Sequence, residues 1–194
     1  KCVLCNGSIS IRYPIVEGIT CLLAIGTISI WGYSIVGLLY FVFLTSLLTL
    51  LIIDIEKTLL PDQITLPLLW LGLISSHLSI DTSDFPSTTS SLIGAIVGYT
   101  SLWAINQTFK LIRGRTGMGN GDFKLAAAVG AWLGWQALPT VILVASTSGL
   151  TYAMFLVFLG KLSAKQEIPF GPFLSIGACV TLAANDLFTT LFLP

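Results

Sequence analysis

A chain of 194 residues that is 55% hydrophobic and only 9% charged has too few charges to coat a soluble globule and more apolar surface than one core can bury. Nine Lys and Arg balance nine Asp and Glu, so no net charge draws the chain to nucleic acid. The composition predicts an integral membrane protein in contact with lipid.

Residues 1–13 come first, opened by Lys1-Cys2-Val3-Leu4-Cys5. Because the chain starts at Lys1 and not at Met, they read as the remnant of a cytoplasmic Cys-x-x-Cys segment, with 14–194 as one transmembrane domain. Apolar runs close to the roughly 20 residues that cross a hydrocarbon core predict helices at 14–32, 35–53, 64–80, 91–109, 123–138, 139–159 and 172–193. Polar or Gly/Pro-bearing links separate them. The first run carries Glu17 and does not read as a removable signal peptide. The expected fold is an all-α polytopic bundle of about seven helices. Its weakest crossing is 123–138, whose short apolar core holds Gly130 and Gly134, and a re-entrant hairpin is the alternative there.

Charge distribution argues against the hairpin. With a cytoplasmic amino terminus and every segment crossing, the inside loops collect Lys1, Arg12, Lys57, Lys110, Arg113, Arg115, Lys124, Lys161 and Lys165, which is every basic residue. A hairpin would move Lys161 and Lys165 outside. Trp31, Tyr33, Trp132 and Trp135, near predicted helix ends, read as membrane-interface anchors.

Against this apolar background, the stretches Ile53-Asp54-Ile55-Glu56-Lys57-Thr58-Leu59-Leu60-Pro61-Asp62 and Gly117-Met118-Gly119-Asn120-Gly121-Asp122-Phe123-Lys124 concentrate carboxylates at one membrane face. A carboxylate at the edge of a bilayer is costly and by default functional. Gly117, Gly119 and Gly121 leave the backbone free for positive φ or close approach, so that a helix can begin with Asp122 aimed inward. Two carboxylates a few Å apart cannot both ionise, which leaves one to activate water and the other to polarise a carbonyl and protonate a departing amine. The blander reading makes Asp54, Glu56 and Asp62 interfacial solvation, Asp62 the cap of the third helix and Asp122 the N-cap of the fifth. It suits Glu56, is evenly balanced for Asp62, and is weak for Asp54 and Asp122, which adjoin apolar spans directly.

Cys2 and Cys5 have the spacing of half a zinc site, and tetrahedral zinc needs further ligands from upstream. Cys21 and Cys179 read as small packing residues, and His77 as interfacial. Glu17 is either functional or a structural partner of Arg12 or Lys1. The segment Ile168-Pro169-Phe170-Gly171-Pro172 is a helix entry that could also hold an extended peptide.

The two acidic stretches, together with Arg12-Tyr13-Pro14-Ile15-Val16-Glu17, Ile168 to Pro172 and Lys1 to Cys5, resemble the signature regions of the type IV prepilin peptidases, intramembrane aspartic proteases of the GxGD type. The resemblance covers nearly the whole chain. It implies Asp54 and Asp122 as the catalytic pair, with Gly119, Gly121, Lys124 and Asp62 as supporting positions. It implies an enzyme needing no cofactor for proteolysis that removes the leader of type IV prepilins and pseudopilins at the cytoplasmic face of the bacterial inner membrane. Many members then methylate the new amino terminus with S-adenosylmethionine, for which Lys1, Arg12, Glu17, Pro169 and Gly171 are candidate substrate or donor residues. Two rivals remain: a proton-coupled transporter or channel relaying protons through Asp54 and Asp122, and a catalytically silent scaffold. The first is disfavoured by both acids lying at one surface, with no polar series across the membrane.

Overall fold

The computed structural model describes residues 10–78, 85–160 and 168–192, and of 185–192 the backbone alone. Seven helices follow one another: α1 (Arg12–Trp31), α2 (Ile35–Lys57), α3 (Asp62–Leu78), α4 (Thr88–Arg113), α5 (Asn120–Leu133), α6 (Leu138–Phe158) and α7 (Gly171–Phe192). Among the described residues there is no strand. The expected seven-helix order holds, with shifted ends. α2 continues to Lys57 because Glu56 and Lys57 are good helix formers and a cation suits a helix carboxyl end. Asp54 is therefore within the helix. α5 stops at Leu133, five residues earlier than expected, because Gly134 at φ 79° turns the chain out of helical conformation.

Two compact units divide the chain at residue 45. In the first, α1 is exposed along nearly its whole length, with only Thr27 buried. Gly32 at φ 65° ends it, and Trp31 stacks on Tyr40 across the turn at 4.4 Å between ring centroids. A helix this apolar with so little protein around it fits a lipid environment. α1, α2 and α6 are long and apolar enough to cross a membrane by length and composition. The chain is a multi-pass membrane protein.

The second unit, from Ser46 onward, is built around α5, whose residues Asp122 to Trp132 are buried apart from the half-buried Lys124. α3 lies parallel to it: Lys124 meets Asp62 at one end, and Trp132 Nε1 donates to the Leu68 carbonyl at 2.8 Å further along. α4 runs antiparallel and very close. Gly94 and Gly98 face Gly130 and Ala126, and a Cβ on Gly94 or Gly130 would overlap the other's carbonyl. This small-xxx-small pairing on both helices lets their backbones touch, as suits helices that gain no hydrophobic drive from lipid. Ser91 Oγ donates across the same seam to the Ala131 carbonyl. α6 and α7 form an antiparallel hairpin in which Gly177 packs on the backbone of Val141 and Phe173 packs on Gly149.

The carboxyl ends of α2, α4 and α6 therefore gather with the amino ends of α3, α5 and α7. α5 reaches from there to the level of the first turn of α4, where Ser90 Oγ donates to Gln136 at 2.7 Å. It is a single helix traversing the unit, and not a re-entrant hairpin. The five described Lys and Arg residues of this unit, Lys57, Lys110, Arg113, Arg115 and Lys124, all lie at the first of these two ends. Trp132 is fully buried, which corrects its reading as an interface anchor: its indole N–H is occupied by α3. Cys21 is exposed on α1, which corrects its reading as a packing residue among the described residues.

Candidate active site

Asp54 occupies the last turn of α2 and is 5% exposed. Just beyond it Thr58 adopts φ 49°, the only positive φ of a non-glycine among the described residues. Its N–H closes the helix on the Asp54 carbonyl at 2.8 Å. A β-branched residue in this region is strained, so the turn delivering Asp54 is held by its surroundings. Asp54 Oδ2 is buried without a hydrogen-bond partner among the described residues. Gly171, the first residue of α7, lies directly against it: a Cβ there would come within 2.5 Å of this oxygen.

Asp122 is 6% exposed and stands three residues after Gly119, the N-cap of α5. Its Oδ2 accepts the Gly119 N–H at 3.2 Å, the acidic half of a capping box. Asp122 is thus not the N-cap of α5, as the blander reading had it, but reaches back to that cap. The helix amino terminus adds its positive end to the surroundings of the carboxylate.

Both carboxylates line one cavity of about 500 Å³. Its walls come from the α2–α3 turn through Thr58 and Leu60, the α4–α5 loop through Arg115 to Gly121, and the segment Ile168 to Phe170 before α7. Two nearly buried acids from sequence-distant helices, facing one space with room for a peptide group, form an arrangement suited to shared acid and base roles.

The sequence profile described as "Type IV leader peptidase family" matches residues 41–154, more than half of the chain. The chain belongs to that family. Three relatives carry the name "Prepilin leader peptidase/N-methyltransferase". The protein of Aeromonas hydrophila is 44% identical over 197 residues, covering 100% of this chain and 65% of its own length. That of Burkholderia pseudomallei (strain K96243) is 42% identical over 182 residues, covering 94% and 58%. That of Pseudomonas aeruginosa is 40% identical over 193 residues, covering 100% and 65%. The chain thus spans less than two thirds of these relatives' length. No solved structure matches it.

In this type IV leader peptidase family chain, the matched stretch holds both Asp54 and Asp122. The other expected positions separate into groups. Gly119 and Gly121 line the cavity, as does Pro169, while Gly171 abuts Asp54. None of Gly117, Gly119 or Gly121 uses positive φ, which corrects one half of the glycine expectation; the left-handed residue is Gly114, at the end of α4. Close approach accounts for two of them: a Cβ on Gly121 would meet Leu60 Cβ at 2.7 Å, and one on Gly117 would meet the Phe109 ring at 2.9 Å. A Cβ on Gly119 would have only the Asp122 carboxylate, at 3.8 Å, and the Gly121 nitrogen, at 4.0 Å, within reach.

Asp62 is the first residue of α3, 55% exposed, and its two oxygens take Lys124 Nζ at 2.6 and 2.7 Å. The pair ties the start of α3 to the start of α5. Glu56 is exposed on α2. Arg12 and Glu17 lie exposed on α1, in the first unit, and the residues lining the cavity all come from the second. Lys1 and the half-site cysteines Cys2 and Cys5 fall outside the described residues, and among those described no group of three or more His, Cys, Asp or Glu is placed to hold a metal ion.

Sequence reasoning missed Asn106. It sits on α4, 6% exposed, and its Oδ1 accepts the N–H groups of Gly117 at 2.9 Å and Met118 at 3.0 Å. Thr58, Phe109 and Arg115 in the cavity wall also went unremarked as site residues. An Asn inside an apolar run was a usable signal, since polar side chains within membrane helices seek partners.

Proposed function

We propose that the protein is an aspartic endopeptidase of the membrane that cleaves the leader from type IV prepilins or pseudopilins, with Asp54 and Asp122 as its acid and base. The observation that carries this reading is the pair of nearly buried carboxylates from α2 and α5 lining one cavity. The pair shares a proton. Its ionised member takes a proton from water as the oxygen attacks the scissile carbonyl, and its protonated member donates to the carbonyl oxygen. Collapse of the tetrahedral gem-diol breaks the C–N bond: the amine leaves with the proton of the pair, one gem-diol hydroxyl gives its proton to the other carboxylate as the C=O of the new acid forms, and the dyad regains its shared-proton state. No covalent intermediate and no cofactor enters this proteolytic step.

The names of the relatives also support methylation of the new amino terminus. S-adenosylmethionine, when bound, supplies an electrophilic methyl group. Its sulfonium, ammonium and carboxylate groups call for protein charges of both signs, and the first two turns of α1 offer Arg12 and Glu17. A prepilin peptide incubated with the purified protein, with and without S-adenosylmethionine, and then weighed by mass spectrometry tests both activities. Cleavage is expected in both samples and a gain of one methyl group only with the donor. Intact peptide in both would sink the proteolytic reading.

The same reading places the protein in the bacterial inner membrane with the carboxylate cavity on the cytoplasmic side. Support comes from the gathering of Lys57, Lys110, Arg113, Arg115 and Lys124 at the cavity end. In a chain otherwise freed of cysteine, a reporter cysteine at Ser87 is expected to react with an impermeant outside reagent, and one at Thr116 to be protected. The opposite pattern would invert the topology.

A further inference from the structure

We propose that Asn106 is the positioning residue of the second carboxylate, holding the loop from which Asp122 is aimed. This rests on the proteolytic reading for its effect on rate, and on geometry alone for the clamp itself. Gly114 at φ 70° ends α4, and the chain doubles back along the last turns of that helix before α5 begins. Two consecutive amides of the returning segment, Gly117 and Met118, converge on the single acceptor Oδ1 of Asn106. The next amide, Gly119, donates to Asp122 Oδ2. Three successive N–H groups thus link a buried side chain of α4 to a carboxylate of the cavity. Phe109, one turn after Asn106 on α4, packs on Gly117, where a Cβ would stand 2.9 Å from its ring, so this segment is pressed as well as bonded to the helix.

The chemistry explains why an amide oxygen suits this place. A carbonyl oxygen has two lone pairs and can serve two donors, it stays neutral, and being 6% exposed it has little competition from water. Without it, the N–H groups of Gly117, on an exposed residue, and of Met118, half-buried, would lose their acceptor and the loop would move to find others. The Gly119 N–H would move with them. A displacement of about 1 Å at a reacting group costs on the order of 100-fold in rate. Asn106 touches neither substrate nor the reacting atoms in this scheme and acts only through the loop.

The test uses the full chain and two variants. Asn106→Leu keeps the shape and removes the acceptor, whereas Asn106→Asp keeps an acceptor oxygen in either protonation state. Amide hydrogen exchange is expected to show Gly117 and Met118 protected in the wild-type protein relative to Arg115, unprotected in Asn106→Leu, and protected again in Asn106→Asp. On a prepilin peptide, Asn106→Leu should lower kcat by about 10- to 100-fold with KM nearly unchanged, and Asn106→Asp should recover part of it. Protection of Ala126 to Gly130 in α5 serves as the control for folding. Wild-type exchange at Gly117 and Met118 as fast as at Arg115 overturns the clamp even if the Leu variant does not fold. An Asn106→Leu enzyme with unchanged kcat, or with its loss confined to KM, overturns the positioning role. A wild-type protein that cleaves nothing removes the proteolytic reading and the positioning role with it, while the exchange data still decide the clamp.

Discussion

Asp54→Asn and Asp122→Asn are each expected to abolish cleavage of a prepilin peptide, whereas Asp62→Asn and Glu56→Gln are expected to keep most of it. Asn preserves the size of Asp but can neither take a proton from water nor give one to a leaving amine. Each substitution therefore removes an acid or base role that contributes about 10²–10⁴-fold. The double variant is expected to be hardly slower than either single one, because the two groups act as a unit and lose their function together. Asp62 and Lys124 form a well-aligned but half-exposed pair, 55% and 29% exposed, and such a pair contributes roughly 0–1 kcal/mol to stability. Its loss loosens the start of α3 without touching the dyad. Rates for the four single variants and the double, measured in detergent, decide the matter. Near-normal turnover in either dyad variant would falsify the two-carboxylate mechanism.

Two glycine substitutions are expected to separate activity from stability. A Cβ at Gly171 would come within 2.5 Å of Asp54 Oδ2, and the obstructed atom is the tip of a rotatable side chain. Gly171→Ala therefore swings the carboxylate out of place, lowering the cleavage rate on the order of 100-fold while the unfolding temperature barely moves. A Cβ at Gly130 meets the backbone carbonyl of Gly94, which cannot step aside without parting α4 from α5. Gly130→Ala accordingly costs stability, about 1–3 kcal/mol or more as for other overpacked cores. Activity then falls only as far as the folded fraction does. Thermal unfolding and rates on the same preparations check both, and a Gly171→Ala enzyme at full speed would show that Asp54 does not depend on its place against α7.

The helices were legible in the sequence because a bilayer imposes length: apolar runs of sufficient span can hardly do anything else. Asp54 and Asp122 were legible for the related reason that a carboxylate next to such a run has to be explained. Their supports were harder to read. Asn106 binds amides eleven and twelve residues further on, a contact that exists only after Gly114 reverses the chain, and no spacing rule reports a reversal. Thr58 has an ordinary sequence context, and its φ of 49° is set by the tertiary surroundings of the α2–α3 turn. Trp132 looked like an anchor because Trp is common at membrane surfaces; its place in the core depends on a carbonyl of α3 that sequence cannot position. Of the glycines before Asp122, Gly117 and Gly121 are explained by the crowding of Phe109 and Leu60 against them and not by unusual backbone angles, and sequence shows neither neighbour.

The antiparallel seam between α4 and α5 leaves the two helices unequal at the cavity end. Tyr99 meets Phe123 edge to face, with ring centroids 5.9 Å apart, yet α4 continues from Tyr99 to Arg113. Those added turns rise about 20 Å past the level of Asp122's neighbour. The chain leading to Asp122 uses that overhang as a backstop: Gly117 lies against the Phe109 ring, and the N–H groups of Gly117 and Met118 end on Asn106. An α4 that stopped level with Phe123 would leave this segment nothing to lean on.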